Sequence, residues 1–391
     1  MKRSFISLVA LVILTTSCKN EVGGPIPLIS NRDEEQLESL LVSLCFPPQV
    51  FVIDSKSRTE IRGEHGTVID FNSSAIETID GIPIGDSIRV ELLELPNNLE
   101  MVMHNVQTVS DNGLLVSGGA YYLMMYSNNT ALRIKEGEFI DIEFPRFTDD
   151  EMTLFLGERD STGQMVWTDT DQKFESKNIE PLDEPKIPEV EEKKAQDLLL
   201  QKEPAASTYN PRESEIVFEP VDDDYEMAAA SYRKKLEGGE EISEKEYNDY
   251  LRKKAEYEKR VEELREQEMK YNAVSLLNLG WINCDRFYGL NVPLTNIELY
   301  IKQETIQCAW FYAIFMDINS LMIRGYSSKD RMVLFQGIPA NRNVKFVGLA
   351  IRDSVYYWFE RDLITKNDQK ILVEFEISSF EEIHQRFAEI K

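Results

Sequence analysis

The sequence predicts a mainly β chain: two antiparallel β-sandwich domains joined by an acidic linker and a long amphipathic helix, α+β overall. Three observations predict it. Short apolar runs bounded by turn residues recur roughly every ten residues in two separate stretches. Between them, residues 171–275 hold 29 acidic and 18 basic side chains and six of the fifteen prolines. Within that segment a capping box, Ser243-x-x-Glu246, opens a long helical pattern.

The 391 residues, 42% hydrophobic and 10% aromatic, are enough for about two or three domains of about 100–200 residues. Acidic side chains outnumber basic ones 69 to 43, a net charge of −26. Such a surface repels a phosphate backbone, so nucleic acid is excluded as a general partner.

Residues 1–17 read as an export signal. Lys2 and Arg3 precede the apolar run Phe5–Leu14, and Thr15-Thr16-Ser17-Cys18 supplies small residues for cleavage. Ten residues rise only about 15 Å as a helix, roughly half the hydrocarbon thickness. The stretch resembles a bacterial lipoprotein signal, which implies lipidation at Cys18 and a mature chain that begins there. Thr15 stands where that pattern usually has Leu. An ordinary secretory signal cut near Ser17 is the alternative. Loss of Lys2 and Arg3 with residues 1–17 takes the net charge to −28, so anchoring would rest on acyl chains and not on attraction to anionic lipid.

Residues 18–48 read as a tether and a short helix, in which Leu37, Leu40, Leu41 and Leu44 share one face. Residues 49–170 form the first sandwich, with apolar runs at Gln49–Asp54, Thr67–Phe71, Ser87–Leu95, Ala120–Tyr126, Phe139–Pro145, Met152–Gly157 and Gln164–Thr168. Its sequence around Gly66–Ile69, Gly85–Leu92, Ser117–Tyr122, Ile134–Gly137, Ile140–Pro145, Leu154–Gly157 and Val166-Trp167 resembles the ZU5-like β-sandwich of outer-membrane lipoproteins of Bacteroidetes. Those matches are strand and turn chemistry, so the resemblance implies a shape and an envelope location, on the periplasmic or cell-surface side of the outer membrane. It implies no activity.

Residues 171–275 read as the acidic, Pro-rich linker, with helices at about 224–237 and 244–272. Steps of three and four place Tyr247, Tyr250, Lys254, Tyr257, Val261, Leu264, Glu268 and Tyr271 on one seam. Its apolar and aromatic members, Tyr247, Tyr250, Tyr257, Val261, Leu264 and Tyr271, are the candidate partner-binding residues. Packing of the helix on a domain of the same chain is the other reading.

Residues 276–391 read as an immunoglobulin-like sandwich of seven short strands. A terminal helix follows, striped by Phe380, Ile383, Phe387 and Ile390.

The chemistry is sparse. The chain has three histidines, His65, His104 and His384, and no HExxH, CxxC, Walker loop or GxGxxG. Gly85-Asp86-Ser87 resembles an esterase nucleophile motif. Its only D-x-x-H analogue is Glu381-x-x-His384, almost 300 residues away, so turn and strand start is the expected role. The acidic clusters at Asp149–Glu151, Asp169/Asp171 and Asp222–Asp224 lack EF-hand spacing. Cys284 and Cys308 either pair or pack as buried thiols. Trp167, Trp281, Trp310 and Trp358 either build cores or form a sugar-binding platform.

The expectation is therefore a non-catalytic outer-membrane lipoprotein without cofactor or metal. It would be an accessory or scaffold subunit of an envelope protein complex, attached to the membrane through Cys18 and to an envelope protein partner. The alternative is a glycan- or ligand-binding lipoprotein of a nutrient-uptake system.

Overall fold

The computed structural model describes residues 32–161, 163–180, 182–183, 185, 244–289, 292–329 and 332–390. The expected helix at 224–237 and Cys18 lie outside them. The chain divides into two compact units: residues up to Lys177 together with Met269 onward, and residues 178–268.

The first unit is mainly β, as its period-two apolar runs require. Its N-terminal half contains β1 (Gln49–Asp54), β2 (Thr59–Arg62), β3 (Val68–Phe71), β4 (Ile76–Thr78), β5 (Ser87–Leu95), β6 (Val109–Ser110), β7 (Gly113–Ser127), β8 (Thr130–Ile134), β9 (Ile140–Glu143), β10 (Thr153–Arg159) and β11 (Met165–Lys173). After residues 178–268 come β12 (Val274–Leu276) and β13 (Gly280–Phe287). The C-terminal part contains β14 (Leu294–Ile301), β15 (Cys308–Phe315), β16 (Ser320–Ser327), β17 (Met332–Pro339), β18 (Asn343–Arg352), β19 (Val355–Ile364), β20 (Gln369–Val373) and β21 (Glu376–Ser378). The helices are α1 (Arg32–Leu44), α2 (Asn98–Met103), α3 (Glu244–Glu268) and α4 (Phe380–Ala388).

The first sandwich packs a nine-stranded sheet, β1-β5-β7-β13-β10-β11-β6 with β4 and β8 attached, on the four-stranded sheet β12-β9-β3-β2. Ile69, Phe71, Val90, Tyr121, Met125, Ile142 and Phe144 fill the space between them. In sequence the first sandwich ends at residue 170 and Gly280–Phe287 falls in the second one. The structure instead places β13 between β7 and β10, with Ile282 opposite Tyr121 on one side and Leu156 on the other. The physical reason is that β13 is covered on both faces. Ile282 and Cys284 enter the first core, while Trp281 on the opposite face enters another. A strand without a wet face shows no alternation that would tie it to either sandwich.

The long strand β7 makes the sheet close on itself. Its start pairs β6 (Val109↔Leu114, Ser110↔Gly113), and β6 pairs β11 (Trp167↔Ser110). Where β7 and β13 change register, near Asn283 and Asp285, Gly118 and Gly119 allow the close approach. A Cβ on Gly118 would stand 2.9 Å from the Cys284 carbonyl oxygen, and Gly119 has φ +122°.

The second sandwich packs β17-β14-β20 on β16-β15-β18-β19-β21. It has eight strands where seven were expected, and β14 pairs β20 in parallel. Phe311, Phe315, Phe335, Phe346 and Val373 form its core.

A third apolar layer joins the two sandwiches. The four leucines of α1, Met101 and Val102 of α2, and Ile383 and Phe387 of α4 lie in one cluster with Phe155, Trp167 and Trp281 of the first sandwich and Tyr312, Leu321, Val347 and Trp358 of the second. Hydrogen bonds reinforce it. Thr108 N–H donates to the Leu321 carbonyl (2.8 Å) and Ser117 N–H to the Asn319 carbonyl (2.8 Å). The Asn319 side chain donates to the carbonyls of Pro96 (3.2 Å) and Ser117 (2.8 Å). The two sandwiches are thus layers of one body.

Candidate functional site

The acidic segment has a definite place on that body. The chain leaves after Lys177 and returns at Met269, and the two points are neighbours because Ser176 and Tyr271 form an antiparallel bridge. Asn272 N–H donates to the Glu175 carbonyl (2.7 Å), Tyr271 N–H to the Phe144 carbonyl (3.0 Å) and Arg146 N–H to the Met269 carbonyl (2.7 Å). Residues 178–268 therefore form an insertion within the first sandwich, because β12 and β13 belong to that sandwich.

The helix of the insertion, α3, begins within a residue of the expected start and ends at Glu268, before the expected 272. Leu251, Lys254, Tyr257, Val261 and Leu264 form a half-buried stripe at steps of three and four, and no described residue of the helix is fully buried. Charged side chains dominate the other faces and pair along the helix: Arg252 with Asp249 (2.7 Å), Lys253 with Asp249 (2.9 Å) and Arg260 with Glu263 (3.0 Å). Such pairs support a helix locally. Three of the six candidate partner-binding residues, Tyr257, Val261 and Leu264, thus share a face; the side chains of Tyr247 and Tyr250 lie outside the described residues.

Tyr271 does not belong to the seam. It lies beyond the end of α3, 2% exposed, with its ring 5.0 Å from that of Phe174. The apolar register runs past Glu268 in sequence, but the chain has already turned into the bridge with Ser176. Burial holds the Tyr271 hydroxyl well above its ordinary pKa.

The other residues singled out by sequence are dispersed. Ser87 opens β5 opposite Asp54, Asp86 pairs with Lys56 (2.9 Å), and His384 stacks 4.4 Å from Phe380 on α4. His65 donates its backbone N–H to Glu94 (2.9 Å). Asp149 and Asp150 pair with Arg146 (2.5 Å) and Arg286 (2.8 Å), and Asp169 accepts from the Asp171 N–H (2.8 Å). Asp222–Asp224 lie outside the described residues. Cys45, Cys284 and Cys308 are free thiols, with Cys284 and Cys308 in different cores. Trp167, Trp281 and Trp358 are buried and Trp310 is half-buried.

Two buried polar clusters escaped the sequence reading, because their members are scattered along the chain. In the first, Arg159 donates to the carbonyls of His104 (3.0 Å), Asn105 (2.9 Å) and Gly163 (2.9 Å), with its guanidinium 5.6 Å from the Trp281 ring. The Cys45 thiol donates to the Met103 carbonyl (3.1 Å). Burial pushes that thiol up to about 11, and burial beside Arg159 pulls the His104 imidazole down to about 3. A protonated thiol beside a neutral imidazole is not an activated nucleophile. The cluster instead ties α1, the end of α2 and β10 together.

In the second cluster, Ser117 Oγ donates to Asn283 Oδ1 (3.0 Å), and Asn283 Nδ2 donates to Asp285 Oδ2 (2.6 Å). Asp285 is fully buried, and desolvation raises its pKa well above the ordinary carboxylate range. Burial of this kind favours the neutral form of the carboxyl. The only sequence trace of the site is the pair Gly118-Gly119 opposite it.

No family model, curated protein or solved structure matches the sequence.

Proposed function

We propose that the chain is a non-catalytic, lipid-anchored outer-membrane protein, an accessory or scaffold subunit of an envelope protein complex. Cys18 carries the anchor and the α3 insertion contacts a partner protein. The kinship of the first sandwich to ZU5-like domains and of the second to immunoglobulin-like ones belongs to the same proposal.

The observation that carries this reading is the bridge between Ser176 and Tyr271. It brings together the points where the chain leaves and re-enters the first sandwich, so that residues 178–268, an acidic segment with a long charged helix, are an insertion in its sequence. Exposed loop tips of this kind accept insertions without loss of the core. The thirteen residues between Cys18 and Arg32 span at most about 50 Å, reach enough to hold a mature chain of net charge −28 away from anionic headgroups. Burial of Trp167, Trp281 and Trp358, with Trp310 half-buried, supports a core role for these residues over a sugar-binding platform.

The test replaces residues 178–268 by a short Gly-Ser turn joining Lys177 to Met269. The shortened protein should unfold at the temperature of the full chain, stay with the membrane fraction and lose its co-purifying envelope partner. A partner retained in full would overturn the assignment to α3. Membrane association unchanged by Cys18→Ala would overturn the anchor.

A further inference from the structure

The nine-stranded sheet of the first sandwich ends at β1, which pairs β5 antiparallel on one side and has no described strand on the other. The phase of that pairing is fixed just past the end of β1, where Ser55 N–H donates to the Asp86 carbonyl (3.1 Å). Bonded and non-bonded residues alternate along an antiparallel pair, so Gln49, Phe51 and Ile53 bond to β5. Ser87 agrees, since its carbonyl turns away from β1 and accepts from Ser127 Oγ of β7 (3.3 Å). Val50, Val52 and Asp54 therefore turn their backbone groups to the free edge.

Sheet edges are ordinarily guarded by charge or by brevity. β2, at the end of the facing sheet, carries Glu60 and Arg62, β20 carries Lys370, and β21 has three residues. β1 reads Gln-Val-Phe-Val-Ile-Asp. Phe51 and Ile53 turn toward the first core, which leaves Val50 and Val52 on the opposite face, 54% and 71% exposed. The charged residues beside them on β5, Glu91 opposite Val50 and Arg89 opposite Val52, pair with each other. A chain of net charge −26 thus presents here an apolar edge on a face whose charges cancel. A cationic segment finds no unpaired carboxylate beside the valines, and a second copy of the chain meets no like charge there.

We propose that two copies of the chain associate by antiparallel pairing of β1 with β1, about a two-fold axis at Phe51. A two-fold interface must be self-complementary. An axis perpendicular to the sheet keeps outer face with outer face, so even-numbered residues oppose even-numbered ones and the axis passes through a residue. With the axis at Phe51, Val50 opposes Val52 of the second copy on both sides of the axis, and each such pair exchanges backbone bonds. Pro48 then opposes Asp54, whose N–H meets the Pro48 carbonyl. The donor that Pro48 lacks is one that Asp54 does not need, because the Asp54 carbonyl already accepts from Ser57 N–H (3.4 Å).

The neighbouring registers lose this match. With the axis at Val50, the Val52 carbonyl faces Pro48, which has no N–H. With the axis at Val52, the Val50 N–H points at the occupied Asp54 carbonyl, and the Asp54 carboxylate comes against Val50 on the face that holds Glu91. The surface lies on the first sandwich and depends on neither Cys18 nor α3.

The test uses the full chain in mild detergent. Sedimentation should give twice the monomer mass. Amide exchange at Val50 and Val52 should slow as protein concentration rises, while Phe51 and Ile53, bonded to β5, stay slow throughout. Phe51→Cys should form a disulfide-linked dimer on mild oxidation, because a non-bonded antiparallel pair holds its Cα atoms about 4.5 Å apart, within disulfide reach. Val52→Cys should not, since its counterpart in the second copy lies beyond the limit of about 7 Å. The wild-type chain, with free Cys45, Cys284 and Cys308, gives the background. Val52→Pro should yield the monomer with the fold intact, because the N–H it removes makes no bond to β5. Where a variant does not fold, the exchange measurement on the wild-type chain decides. A monomer at every concentration, exchange at Val50 and Val52 that ignores concentration, a Val52→Cys dimer as abundant as that of Phe51→Cys, or an undiminished Val52→Pro dimer would each overturn the proposal.

Discussion

Gln107 gives the most direct test that the two sandwiches are one cooperative body. Its side chain is 3% exposed and spans the layer between them. Nε2 donates to the Met165 carbonyl of β11 (2.9 Å), while Oε1 accepts from the Ile323 N–H of β16 (3.1 Å). Its own carbonyl accepts from the Trp167 indole (2.6 Å), a bond that substitution would spare. Gln107→Ala leaves a carbonyl in one sandwich and an amide in the other without these partners, each at a cost of about 1–3 kcal/mol. A total near 3 kcal/mol corresponds to a fall in Tm of roughly 5 °C for a body of this size. The assay is calorimetry alongside tryptophan fluorescence, which reports on Trp167 and Trp281 in the first sandwich and Trp310 and Trp358 in the second. One transition should move as a whole. Two separate transitions, only one of them shifted, would refute the shared core; a shift below about 2 °C would refute the role of Gln107.

Two further predictions concern pH. Burial holds the His104 imidazole down to about 3, against the ordinary 6.5, so its ring resonances should not titrate between pH 5 and 8. Its contribution to stability is present above pH 6.5 and lost as pH falls toward 3, where the unfolded chain takes up a proton that the folded one refuses. A His104→Phe variant should lose less stability over that range, and a wild-type His104 titrating near 6.5 would contradict its burial. Asp285 runs in the opposite sense. Burial holds its folded pKa well above the ordinary 3.8, so the stability it contributes is complete below pH 3.8 and declines as pH rises through the folded value. Denaturant melts of Asp285→Asn should therefore gain on wild type as pH rises, with the gap closing near pH 4; a gap that widens on acidification would rule out the neutral acid.

The readable parts of the chain were those with one wet face. The four leucines of α1 keep helical spacing against exposed neighbours, and they lie where that spacing puts them. The runs of β5, β9 and β11 were likewise legible, and so was the apolar stripe of α4; its capping box, Ser379 with Glu382, comes from the structure. The short helix α2 was not, since His104 reads as the end of a strand-like run but caps a helix opened by Asn97. The clusters around Arg159 and Asp285 depend on residues up to 166 positions apart. Each contributes one polar side chain to an otherwise apolar run, so local pattern carries no sign of the company it keeps.

The connectivity of the acidic segment was hidden for a related reason. Composition separates residues 171–275 from the sandwiches, and a compositional break reads most simply as a junction between domains. What decides its place is where the chain pairs afterwards. Val274 and Leu276 flank β9, opposite Ile142 and Ile140, and Trp281 to Phe287 run along β7. Those pairings are non-local and depend on burial of both faces of β13, which only the assembled body supplies. The same pairings bring Lys177 and Met269 together, so a segment that looks like a connector between sandwiches is an excursion from within one. A connector would position the two sandwiches relative to each other. Here the apolar layer between them does that, while residues 178–268 leave and return within the first sandwich.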